Sequence, residues 1–170
     1  MIKRATLNDL DRAMEIIEDA RLFLKESGST QWNESGYPFK STLEEDIRLG
    51  RLYALWLRGD IAAIGVIAGL EEVYPKIQGK WITNDDNYLT IHRLAVAKEY
   101  RGLGLAKRFM GYVEDFAIDN NKTSIRIDTH EVNEIVNHIA KKLNYKYCGI
   151  VDYTFEPHGK RLAYERIIRK

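Results

Sequence analysis

The 170 residues include one cysteine and three prolines, and nowhere do about 18 apolar residues run together, the length a membrane-spanning helix needs. A lone cysteine, Cys148, excludes a disulfide framework within the chain, and its place in the apolar run YKYCGIVDY points to a buried thiol rather than a nucleophile. An excess of one charge is absent too: 26 Lys and Arg against 25 Asp and Glu leave a net charge of +1. Such a chain has no overall field for gripping nucleic acid or an anionic membrane, so any anion site must be local. The opening MIKRATLNDLDRAMEII lacks an apolar stretch ahead of a small-residue cleavage site, and a cytoplasmic protein is the expectation. What the sequence does hold is 45% hydrophobic residues, enough in a chain of this length for one self-sufficient core over residues 1–170.

The spacing of apolar residues supplies the elements. IKRAT reads as a strand, and Thr6 or Asn8 caps a helix whose stripe is Leu10, Ala13, Ile16, Ile17, Ala20, Phe23 and Leu24. A loop marked by Gly36 and Pro38 leads to a second, short helix opened by Ser41 or Thr42. RLYALWLRGDIAAIGVIAGL is a hairpin turning at Gly59 and Asp60, residues 71–87 are an extended polar connection anchored by Trp81, and NYLTIHRLAVAKEY is a central strand. Thereafter helix, strand, helix, strand and strand follow. This order describes an α/β (mixed α+β) fold, a twisted mixed sheet of six to seven strands flanked by about four helices, with parallel pairing in its second half.

Beyond the central strand lies EYRGLGLAK, in which Gly102 and Gly104 bare the backbone at the start of a helix, where unpaired N–H groups attract anions. A dinucleotide fingerprint fails because Lys107 stands where the third glycine belongs, and no Gly-Lys-Ser/Thr makes a P-loop. With LAV at 94–96 ahead of it and Arg101, Gly104 and Ala106 in register, the stretch resembles the acetyl-CoA motif of the GCN5-related N-acetyltransferase (GNAT) superfamily. NEIVNHIAKKLNYKYCGI is similar to a later segment of that family. The resemblance implies acetyl-CoA as cosubstrate, its pyrophosphate on the backbone of Arg101, Gly102, Leu103, Gly104, Leu105 and Ala106. Its pantetheine arm would pair with Leu94, Ala95 and Val96, and Asn133 or the rival Asn137 would add a contact. The implied activity is acetyl transfer to a primary amine, with a backbone N–H near Ala95 or Val96 as oxyanion donor.

His92 is the candidate base, since alternation along YLTIHRLAV puts it beside the segment expected to hold the thioester, and an imidazole suits proton removal near neutrality. HRLAV is also similar to the corresponding run of arylalkylamine N-acetyltransferases. Ala140 falls where many family members carry the tyrosine that protonates the departing sulfur, which leaves Tyr145, Tyr147 or a water for that task. Trp32 and Tyr37 from the first loop, Glu71 and Glu72 after the third strand, and Asp128 and His130 at the end of a later strand are the acceptor-side candidates. His130, Glu134 and His138 lack the His-Glu-x-x-His pattern, and no metal is expected. A small-molecule amine is the expected acceptor. The alternatives are a protein or peptide amine and a noncatalytic acyl-CoA-binding domain. A homodimer through the C-terminal strands is a family-level expectation; nucleic acid and membrane partners are not expected.

Overall fold

The computed structural model describes residues 1–32 and 36–168. Its strands are β1 (Ile2–Arg4), β2 (Leu52–Leu57), β3 (Asp60–Ala68), β4 (Gln78–Gly79), β5 (Tyr88–Val96), β6 (Ser124–Thr129), β7 (Lys146–Asp152) and β8 (Lys160–Ile167). Its α-helices are α1 (Leu10–Glu26), α2 (Lys40–Arg48), α3 (Leu105–Asp119) and α4 (Glu134–Lys142). The eight strands form one sheet in the order β1-β2-β3-β5-β6-β8-β7-β4. The strand beyond the six or seven expected is β4, a two-residue ladder within the 71–87 connection.

Helix α1 buries Leu10, Ala13, Ile16, Ile17 and Leu24, the stripe its 3.6-residue period dictates. With Leu43 and Ile47 of α2 it covers one face of the sheet, against Leu52, Ala54, Ile64 and Val66. Phe109, Met110, Val113 and Ala117 of α3 and Ala140 of α4 cover the other, against Tyr53, Ile67, Leu89 and Ile125. Alternation along β2, with Leu52 and Ala54 on one side and Tyr53 on the other, is what feeds both layers. Each large aliphatic side chain so buried contributes about 1.5–3 kcal/mol of transfer free energy. Arg58 and Gly59, both at positive φ, make the two-residue hairpin turn between β2 and β3. Trp81 anchors the long connection as expected, its Nε1 donating to Tyr74 O at 2.8 Å.

Parallel pairing occurs where β5, α3 and β6 make a crossover unit. The second such unit differs from expectation: β8 lies between β6 and β7, antiparallel to both. A local β7–β8 hairpin supplies a partner for β6 without another crossover, and β7 moves outward.

Two irregularities open the sheet at its centre. β5 and β6 pair only at Tyr88↔Ser124, Leu89↔Ile125 and Thr90↔Arg126. Beyond these, β5 stays with β3 through Val96, and β6 stays with β8 through Thr129. The facing halves therefore part, leaving two unpaired backbone edges. On its other side β5 carries a bulge: Ile64 faces Ala95 while Val66 faces His92, so Arg93 and Leu94 of β5 oppose the single residue Gly65 of β3. Arg93 sits in that bulge at φ 51°.

Candidate active site

The parted strands are the floor of a cleft of about 650 Å³ that runs from the start of α3 to the loop before β8. At one end are Gly102 (φ 79°) and Gly104 (φ 71°), left-handed positions that favour glycine. A Cβ built on either would meet no protein atom within 4 Å. Conformation, then, is what these glycines supply, and the space above them is open. The first hydrogen bond of α3 runs from Arg108 N to Gly104 O at 3.0 Å, so the N–H groups of the preceding turn lack helical acceptors. Arg101 does not reach outward: its Nη2 donates to Asp19 O at 3.1 Å and its guanidinium lies over the Phe23 ring, which ties the loop to α1.

Of the residues expected to hold a donor, Leu94, Ala95, Val96, Arg101, Gly102, Gly104, Leu105, Ala106 and Asn133 line the cleft. Leu103 does not; it is exposed to solvent. Asn133 caps α4, its side chain accepting from Val136 N. Asn137 lies outside the lining and is consumed structurally, donating to the carbonyls of His130, Glu131 and Asn133 and accepting from the Tyr164 hydroxyl at 2.7 Å.

The other end holds His92, Glu71, Asp128, Trp32 and Tyr37. His92 Nε2 is 3.1 Å from Glu71 Oε2, although its N–H is not aimed along that line as a hydrogen bond requires. The same contact holds the Glu71 carboxyl below the ordinary carboxylate range. Tyr88 fixes Glu71 from behind, its hydroxyl accepting from Glu71 N at 3.2 Å. Of the two acids expected here, Glu71 faces the cleft, whereas Glu72 is exposed and outside it, carried away by the turn after β3. Asp128 accepts two hydroxyls on one oxygen, Tyr74 and Tyr153 each at 2.7 Å to Oδ2. Burial, then the Asp128 charge, pushes both phenols up, so they remain proton donors to it. His130 lines a neighbouring recess with His158 and Lys160 rather than the cleft itself. Burial, with Arg161 as a second cause, draws its imidazole down.

Tyr145 is not in the cleft. It is buried in the core between α3, α4 and the sheet, where burial pushes its phenol up. Tyr145→Phe is accordingly expected to leave turnover within about twofold of the parent, measured as thiol release; a tenfold loss would return the hydroxyl to the site. Sequence reasoning also missed the support beneath the bulge. Arg93 clamps the fully buried Asp46 of α2 through Nε and Nη2 at 2.8 and 2.9 Å, and its Nη1 donates to the Tyr37 hydroxyl at 2.5 Å. Arg51 adds a contact to Asp46 at 2.6 Å. An acidic residue on the apolar side of a short helix was the only available signal. Among the described residues no group of three metal-ligating side chains comes together.

Comparison with known proteins places the chain. The model of the acetyltransferase (GNAT) family matches residues 14–145. A crystal structure of a GNAT-family acetyltransferase from Streptococcus agalactiae 2603 shares 38% identity and superposes with a TM-score of 0.90, covering 100% of this chain and 96% of that one. The Bacillus subtilis (strain 168) N-acetyltransferase YesJ is 22% identical over 85% of this chain and 81% of its own. N-acetylaspartate synthetase of Xenopus tropicalis is 30% identical over 83 residues, 49% of this chain. That match spans only 31% of the relative's length.

Proposed function

Because this chain belongs to the acetyltransferase (GNAT) family, we propose that it transfers the acetyl group of acetyl-CoA to a primary amine of a small molecule. Members of the family generally use acetyl-CoA and no metal. The observation that carries the reading is the parting of β5 from β6 with the bare glycine turn at one end and the His92–Glu71 pair at the other. Open space over Gly102 and Gly104 fits a diphosphate, and an unpaired strand edge fits an amide-bearing arm. When bound, acetyl-CoA supplies an activated acetyl group as its thioester.

Each residue then has a task. The N–H groups around Gly102 to Ala106 hold the diphosphate, and Leu94 to Val96 offer backbone to the arm. Ala97 N donates to Ala62 O at 2.9 Å, so by strand alternation Val96 N–H points the other way, into the cleft, as an oxyanion donor. Asp128 holds the incoming ammonium. His92 removes its proton through Nδ1, because Nε2 is turned to Glu71, and the Glu71 carboxylate balances the charge that arises on the imidazole. Trp32 and Tyr37 wall the acceptor side. Neither Ala140 nor Tyr145 can protonate the sulfur; a thiolate of pKa about 8.5 leaves near neutral pH without a dedicated acid.

Calorimetric binding of acetyl-CoA, followed by thiol release across a panel of amines, tests this. Gly104→Val is expected to weaken acetyl-CoA binding about tenfold, since a β-branched residue in the left-handed region costs about 1–2 kcal/mol. Tight binding with no release for any acceptor would favour the noncatalytic reading.

A further inference from the structure

Charges at the acceptor end are unevenly committed. Three carboxylates, Glu71, Asp128 and Glu156, line that part of the cleft with three cationic or basic groups, His92, Arg93 and Arg161. Every one of the latter is engaged. His92 faces Glu71 at 3.1 Å. Arg93 spends Nε and Nη2 on Asp46 and Nη1 on Tyr37. Arg161, buried to 6% exposure, gives Nη2 to Glu156 at 3.1 Å and Nη1 to the carbonyls of His158 and Lys160. Asp128 alone has no cationic partner among the described residues: two neutral hydroxyls meet its Oδ2, and Oδ1 accepts from no protein group.

A carboxylate held by two phenols and flanked by two more acids is a receptor for an ammonium. It is equally a barrier to a second anion, because a carboxylate brought beside it would be taken from water with no cation left to receive it. We infer that the acceptor is a primary alkylamine bearing no carboxylate on the carbon next to its nitrogen, and that Asp128 enforces the exclusion of α-amino acids. Arg161 could serve such a carboxylate only by releasing Glu156, and Arg93 only by giving up its bidentate hold on the buried Asp46 and leaving that carboxylate to the single contact from Arg51.

The inference rests on the transferase reading, and the experiment separates the two. Thiol release from acetyl-CoA is measured with matched sets: 2-phenylethylamine, phenylalanine and phenylalanine amide; tryptamine, tryptophan and tryptophan amide. Assays run at several pH values, so that differences in amine pKa are removed by comparing rates per neutral amine. In each set the amine is expected to exceed the amino acid at least tenfold in kcat/KM, with the uncharged amide recovering most of the gap. Asp128→Asn is expected to raise KM for the amine and to narrow the gap to the amino acid. Amino acids turned over within threefold of their amines, or an unchanged gap in Asp128→Asn, overturn the inference and leave the transferase reading standing. Release with no member of either set, by protein that binds acetyl-CoA, overturns the transferase reading and the inference with it.

Discussion

Asp46→Ala is expected to cost about 3–5 kcal/mol of folding stability, the loss that follows when one partner of a buried ion pair is removed and the other stays. Asp46 is fully buried, the Arg93 side chain is 11% exposed, and the bidentate bonds at 2.8 and 2.9 Å take up two of the three guanidinium nitrogens. Arg51 is less constrained, about a third exposed, and can rehydrate once Asp46 is gone. The Arg93 term therefore dominates. Its backbone adds to the effect, since φ of 51° at a non-glycine position stores about 1–3 kcal/mol that only the surrounding contacts hold in place. Urea unfolding with unchanged slope measures the loss. A companion variant sharpens it: Asp46→Leu with Arg93→Met removes both charges and should be less damaging than Asp46→Ala alone. A single-variant loss below about 1 kcal/mol would mean that the pair is not holding the bulge.

That network shows where sequence reading stops. The α1 stripe, the hairpin at Gly59, the central strand and the glycine turn are all written in short-range patterns, and each occurs at its expected place. Whether β8 joins β6 from one side or β7 joins it from the other is a choice between distant partners, to which period-2 alternation is blind. Glu71 and Glu72 likewise look equivalent until the Tyr88 hydroxyl, seventeen residues on, meets the backbone of the first. Asn133 and Asn137 are one helical turn apart, and only the cap of α4 and the Tyr164 hydroxyl separate their roles. Asp46 to Arg93 spans 47 positions, and in KSTLEEDIR only its place on the side of Leu43 and Ile47 marks the one buried acid, with nothing to name its partner. The glycine turn was legible because a backbone conformation, the left-handed glycine, leaves a residue-type signature. The partners of Glu71, Asp46 and Asn137 were not, because long-range hydrogen bonds leave none.

The pair His92 and Glu71 supports the largest expected effect on rate. An alkylamine with pKa about 10.4 is neutral in only about one molecule in 2,500 at pH 7, a deficit of about 4.6 kcal/mol in reactive species. A positioned base recovers much of that, so His92→Ala should lower kcat/KM about 10²–10⁴-fold at pH 7. The loss should shrink as pH rises toward the acceptor's own pKa, where the amine arrives without its proton. Acetyl-CoA affinity should be unaffected, because His92 lies at the opposite end of the cleft from Gly104. Glu71 acts through the imidazole. Its carboxyl, held below the ordinary range, carries its charge at every pH above that range and loses it only as pH falls through the lowered value. Glu71→Gln should therefore lower turnover about tenfold across the assay range without altering acetyl-CoA affinity. In a His92→Ala background the same substitution should do almost nothing, since a partner cannot support a ring that is absent. Parallel pH–rate profiles for the parent and His92→Ala, or additive losses in the double variant, would remove His92 from proton transfer and leave Asp128 alone to receive the amine.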